Sequence, residues 1–192
     1  MDLKTIREKY KQNPLIGYLN INSLRGDKFL YLKDILTRTP IDVFCVDETK
    51  LTYDFTDALF QIDGYQFPPF RRDRDTANSS SYGGGKLVFV KDGIINKRLK
   101  DYETPTAETI CLEITVSNRK WFLMFAYRPE SIDRKLFFDE LHMSLNKAFL
   151  KYDYISVIGD LNIDNDGLTD RHGFLSNICD TFDLENLIKV CI

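Results

Sequence analysis

A chain of 192 residues with 43% hydrophobic and 13% aromatic content is long enough for a folded domain of about 100–200 residues, and too apolar to stay disordered. Its 26 basic and 29 acidic residues leave a formal charge of −3, which excludes a general polyanion binder and confines any nucleic-acid contact to a local patch. Apolar runs of strand length occur at Leu15–Leu19 and Val43–Val46, separated by a helical stripe of Phe29, Leu32, Ile35 and Leu36 within Asp27–Thr37. The stretch from Arg71 to Gly85 then joins three arginines to a Ser/Gly run and reads as a mobile loop. Strands follow at Lys86–Val90, Glu108–Ser117 and Trp121–Tyr127 with no helix between them. In Glu108–Ser117 the residues Ile110, Leu112, Ile114 and Val116 alternate with Thr109, Cys111, Glu113 and Thr115, the pattern of a strand with one buried face. The other runs are continuous and suit strands covered on both faces. A helix over Asp133–Leu150 carries Phe137, Leu141, Leu145, Ala148 and Phe149 on one stripe, then come a strand at Tyr154–Ile158 and a short helix over Asp170–Phe182. Asp27, Asp133 and Thr169 or Asp170 are the candidate N-caps.

Strict β-α-β alternation breaks in the middle, so the expected class is α+β, with mixed sheets and helices outside, rather than a doubly wound sheet. No repeat or linker interrupts residues 1–192, which read as a single domain. The cysteines Cys45, Cys111, Cys179 and Cys191 show no C-x-x-C spacing and read as reduced thiols, not a zinc site or disulfide frame. The N-terminus is charged throughout, and the longest apolar stretch, Trp121 to Tyr127, falls far short of the ~20 residues that cross a membrane. The expectation is a nuclear or cytoplasmic protein, not secreted and without a membrane partner. The sequon Asn78-Ser79-Ser80 then carries no meaning.

Polar residues stand where the apolar strands run out. Asn20 and Asn22 follow the first strand, Glu48 the second, Tyr127 closes another, and Asp160 and Asn162 follow Tyr154–Ile158. Each taken singly reads as a turn former or a solvated rim residue. Together they are chemically coherent, because two carboxylates can hold one hard divalent ion while amides and a phenol orient a phosphate and a water.

The segments Leu19-Asn20-Ile21-Asn22-Ser23-Leu24-Arg25, Asp47-Glu48-Thr49-Lys50, Ala126-Tyr127-Arg128-Pro129 and Gly159-Asp160-Leu161-Asn162 resemble the ordered motifs of the endonuclease/exonuclease/phosphatase superfamily. Within it they are most similar to the apurinic-type endonuclease domain of non-LTR retrotransposons. The Ile62-Asp63-Gly64-Tyr65 stretch, Arg72–Arg74, the Gly83-Gly84-Gly85 run and Asn186-Leu187-Ile188 resemble the same group. The resemblance implies a four-layer αββα sandwich and hydrolysis of a DNA phosphodiester with magnesium (Mg2+), or manganese (Mn2+) in its place. It implies that Glu48 and Asn22 ligate the metal, that Asp160 aligns and deprotonates the attacking water, and that Asn162 positions it. Asn20 and Tyr127 orient the site and the scissile phosphate, and Arg25, Arg72, Arg74 and Arg128 are the candidate nucleic-acid contacts. The implied product is a nick with a 3′-hydroxyl, which primes a downstream reverse transcriptase domain.

Family members finish with a buried aspartate and a Ser-Asp-His segment, whereas this chain stops at Lys189-Val190-Cys191-Ile192. The two histidines, His142 and His172, lack an Asp-His context and read as ordinary surface or helix residues. The chain is therefore expected to be an incomplete copy, with its last strands missing and a sheet edge unpaired. Losing one preorganised donor to the transition state costs ~10²–10³ in rate, so little or no turnover is expected. A remnant that only binds DNA or a partner, and a phosphomonoesterase of the same superfamily, are the alternatives. Asn162–Gly167 also resembles the first half of a calcium loop, but Gly173 stands where the bidentate glutamate belongs, so Asp164–Gly167 reads as a turn. Arg71, Arg72 and Arg74, with Lys97, Arg98 and Lys100, read as a solvated loop and a charged turn.

Overall fold

The computed structural model describes residues 2–74, 83–163 and 173–187. The sequon, the Asp164–Gly167 turn, Thr169, Asp170, His172 and residues 188–192 lie outside them. In chain order the elements are α1 (Leu3–Lys9), β1 (Ile16–Asn20), α2 (Lys28–Arg38), β2 (Val43–Asp47), β3 (Phe70–Arg72), β4 (Lys86–Val90), β5 (Ile95–Arg98), β6 (Glu108–Val116), β7 (Arg119–Tyr127), α3 (Arg134–Phe149), β8 (Tyr154–Asp160) and α4 (Phe174–Thr181).

The strands form two four-stranded mixed sheets, ordered β1-β2-β4-β3 and β5-β6-β7-β8. Among the described residues only β1 with β2 and β7 with β8 run parallel. Side chains alternate across a strand, and this period builds the layers. Val43 and Cys45 of β2 join Ile110, Leu112, Leu123 and Phe125 between the sheets. Phe44 and Val46 turn the other way and pack against Leu32 and Leu36 of α2. On the far side, Cys111, Phe122 and Met124 meet Phe137, Leu141 and Leu145 of α3 and Ile178 of α4. The result is helix, sheet, sheet, helix, the α+β class expected from the broken alternation and the sandwich that the resemblance implies.

Burial departs from the sequence pattern in two ways. The continuous runs of β1 and β8 are half-buried rather than covered, because each has a neighbour on one side only among the described residues. Conversely, the alternating β6 is buried on both faces over its first five residues, since α3 covers Cys111 and the Thr104 amide seals Thr109.

The loop expected at Arg71–Gly85 starts as a strand. Arg71 grips Asp73 with two hydrogen bonds of 2.8 and 2.7 Å and donates to the Thr52 carbonyl at 2.6 Å, so its guanidinium clips the segment instead of being solvated. Arg98 is likewise paired, with Glu103 at 2.7 Å. Asp133 caps α3 by accepting from the Leu136 amide at 2.9 Å, whereas Asp27 makes no side-chain cap bond and is already helical. Gly173 precedes α4 at φ 64. His142 lies half-buried on α3 with its ring 5.0 Å from that of Phe182. Among the described residues Cys45, Cys111 and Cys179 form no disulfide, and no helix is long and apolar enough to cross a membrane.

Candidate active site

The two parallel strand pairs, one in each sheet, stop level with each other. Asn20 pairs with Asp47 at the end of one, and Tyr127 with Asp160 at the end of the other. The Asn20 amide donates to Glu48 Oε1 at 3.0 Å and to Asp160 Oδ2 at 3.4 Å, while the Tyr127 hydroxyl donates to the same Glu48 oxygen at 3.0 Å. Four residues far apart in sequence thus form one network that bridges both sheets.

Glu48 stands one residue past β2 with φ 52, a left-handed backbone that costs a non-glycine residue about 1–2 kcal/mol. Three hydrogen bonds hold it there. The Ser23 amide donates to the Glu48 carbonyl at 2.6 Å, Thr49 donates to Gly85 at 3.1 Å, and Lys50 donates to Gly84 at 2.8 Å. Asn22 (φ 46) and Asn162 (φ 50) adopt the same conformation in a residue type that tolerates it. Positive φ turns the chain sharply after each strand, which keeps these side chains at the sheet ends.

The Asn162 amide N–H of the backbone donates to Asp160 Oδ1 at 3.0 Å, and its side chain donates to the Arg128 carbonyl at 2.6 Å. Asn22 is exposed and connects through Lys50, whose ammonium contacts Asn22 Oδ1 and lies 4.0 Å from Glu48 Oε2. Lys50 is a part of this cluster that the strand-end reasoning passes over. Its signal in the sequence is its place two residues after Glu48, on a turn that folds back.

The four arginines differ in what they have left to offer. Arg128 is 3% exposed, and its guanidinium donates to the carbonyls of Leu161, Ile132 and Asn162 at 2.9, 2.8 and 2.8 Å, bracing the end of β8. Arg72 donates to the Thr109 and Thr104 carbonyls at 2.9 and 3.2 Å. Arg74 lies between the buried Glu108 carboxylate and the Tyr127 ring, 5.9 Å from its centroid, and so borders the site. Glu108 also accepts from the Gly85 amide at 2.8 Å. A Cβ at Gly84 (φ 74) would strike both Glu108 and Arg74, which is why glycine stands there. Arg25 is exposed, bonded to the Lys50 carbonyl at 3.2 Å and stacked over Phe55.

Burial and the Glu48 carboxylate push the Tyr127 hydroxyl up to about 12, so it stays a donor throughout the neutral range. Burial and Asp42 push Tyr65 up to about 12 as well. Both lie above the ordinary 10.0, so their stabilising contribution is complete below about pH 10 and is lost as pH climbs toward 12. Urea unfolding midpoints should fall steeply between about pH 10 and 12. A midpoint unchanged at the upper end would contradict this.

The donor set is all oxygen and amide, with no sulfur or imidazole, which suits a hard divalent ion. Among the described residues no group of three or more His, Cys, Asp or Glu could hold a metal. Glu48 Oε2 is engaged by neither Asn20 nor Tyr127 and has the Lys50 ammonium 4.0 Å away. A cleft of about 1190 Å³ lies beside these residues, lined by Asp160, Asn162, Arg128, Arg134, Lys135 and Phe174 among others.

Solved structures share this architecture. The endonuclease domain of TRAS1, a telomere-specific non-LTR retrotransposon, is similar at TM-score 0.66 and 12% identity, over 92% of this chain and 76% of that one. The 3′ phosphatase NExo from Neisseria, bound to product DNA hairpin, is similar at TM-score 0.58 and 18% identity, over 86% and 70%. TDP2 from D. rerio, complexed with single-strand DNA product, is similar at TM-score 0.55 and 15% identity, over 85% and 63%. At such identities the likeness is one of fold. No curated protein sequence matches significantly. The model of the endonuclease/exonuclease/phosphatase family matches residues 17–176, a span that contains every residue of the strand-end network, and the chain belongs to that family.

Proposed function

We propose that this chain is a divalent-metal-dependent phosphodiesterase that nicks DNA, as an endonuclease domain of the retrotransposon type. The observation that carries the reading is the network of Asn20, Glu48, Tyr127 and Asp160 at the level ends of two parallel strand pairs. Glu48, assisted by Asn22, would hold magnesium or manganese, which when bound supplies positive charge against the phosphate. Asp160 takes a proton from the attacking water, and the Asn162 backbone amide at 3.0 Å steadies it for that task. Attack at phosphorus breaks the bond to the 3′ oxygen, so the products are a 3′-hydroxyl and a 5′-phosphate. Asn20 and Tyr127 hold Glu48 from two sides and thereby keep the site from rearranging as charge develops. Arg74 and the exposed Arg25 are the arginines best placed to meet the DNA backbone. The 3′-hydroxyl is the end a reverse transcriptase extends, which makes that enzyme the expected partner activity.

The test is nicking of supercoiled plasmid with magnesium or with EDTA, beside Glu48→Ala and Asp160→Ala. Magnesium-dependent nicking that each substitution lowers by at least about 10²-fold is expected. A folded wild-type chain that leaves the plasmid intact overturns the reading. Phosphate release from a 3′-phosphorylated oligonucleotide in that case would point to a phosphomonoesterase, and DNA binding without turnover to a binding-only protein.

A further inference from the structure

The apolar layer between the two sheets ends, under the site, in a charge pair. Asp47 and Lys86 face each other across β2 and β4, with side chains 1% and 0% exposed. The Lys86 ammonium contacts Asp47 Oδ1, the Cys45 thiol approaches the same oxygen at 3.6 Å, and the Tyr18 hydroxyl donates to Oδ2 at 2.9 Å. The apolar part of the layer is Val, Ile, Leu, Phe and Cys45, with Tyr18 and Trp121 packed partly buried against it.

Stability alone does not account for this pair. Removing two ions from water costs so much that apolar side chains of similar volume often hold a core equally well or better. Its position suggests another role. Asp47 directly precedes Glu48 and is the register partner of Asn20, and Tyr18 lies two residues before Asn20 on β1. Hydrogen bonds from both neighbours therefore converge on one carboxylate at the level where Asn20 and Glu48 leave the sheet. Apolar contacts tolerate a small slide of one strand end past another, whereas a directional, fully satisfied polar network specifies one arrangement.

We propose that the Asp47–Lys86 pair, closed by the Tyr18 hydroxyl, is a positioning element that holds the Asn20 amide against Glu48. Its geometric part stands on the fold, and its consequence for metal binding rests on the nuclease reading. The test compares wild type with Asp47→Leu/Lys86→Met, which replaces the ions by apolar groups, and with Tyr18→Phe, which removes one hydroxyl only. Three quantities are read: the melting temperature, the NMR shift and hydrogen exchange of the Asn20 side-chain amide, and manganese affinity by electron paramagnetic resonance. The double variant should melt no lower than wild type, yet its Asn20 amide protons should move toward the free-amide position and exchange about tenfold faster. Manganese affinity should fall about 10–100-fold, as for lost outer-shell partners of a metal ligand. Tyr18→Phe should move the Asn20 signals in the same direction by less, and it decides the matter if the double variant does not fold. Unchanged Asn20 shifts and exchange in a folded variant overturn the proposal. A wild-type chain that binds no manganese counts against the nuclease reading instead, and leaves the Asn20 signals to judge the positioning role.

Discussion

Gly159→Ala is expected to destabilise the fold by about 3 kcal/mol and to abolish activity at the site, from the addition of one methyl group. Gly159 has φ 150 and pairs with Ala126 across the parallel β7 and β8, immediately before Asp160. A Cβ there would fall on the Ala126 carbonyl oxygen, with the carbonyl carbon at 2.8 Å. Both atoms are backbone within the sheet, so no side chain can swing aside to relieve the overlap. The end of β8 has to leave β7, and Asp160 moves with it. A displacement of about 1 Å in a reacting group can cost on the order of 10²-fold in rate, which adds to the loss of stability. Urea unfolding together with magnesium-dependent plasmid nicking measures both effects. A variant as stable as wild type would show that the close approach of β8 to β7 is not required.

Lys86→Met alone should cost about 3–5 kcal/mol, the usual penalty for leaving one member of a buried ion pair without its partner. Lys86 is fully buried, and its ammonium is the only cation in contact with Asp47 among the described residues. After substitution, Asp47 retains the Tyr18 hydroxyl at 2.9 Å and the Cys45 thiol, neither of which carries positive charge. Adding Asp47→Leu should restore the loss in full, because an apolar pair has no charge to strand. Equilibrium unfolding of the single and double variants checks the contrast. If the single variant is as stable as the double, the pair is not the interaction that the geometry describes.

Much of the fold is legible along the chain because it rests on local period. The stripe of Phe29, Leu32 and Leu36 and the runs at Val43–Val46 and Trp121–Tyr127 each fall inside an observed helix or strand. The short strands β3 and β5 leave no such trace. Phe70–Arg72 and Ile95–Arg98 are only three and four residues long and mostly polar, and they are strands because β4 and β6 offer them a ladder. The strand-end residues Asn20, Glu48, Tyr127 and Asp160 are visible in the sequence for the same local reason: each stands where an apolar run stops. Their mutual hydrogen bonds are not visible, since 140 residues separate Asn20 from Asp160.

The sequence by itself determined the class of fold, the order of its main elements and the polar residues that close its strands. All of these follow from alternation, helical spacing and chain order, which are properties of neighbours. Only the tertiary structure decided that two parallel strand pairs stop level and bring those residues into one network. It also decided that Lys86, which opens the strand run Lys86–Val90 directly after three glycines, is the buried partner of Asp47. Antiparallel register places residues 47 and 86 on the same face between the sheets. Pairing across that distance is set by how whole sheets pack, and no local period records it.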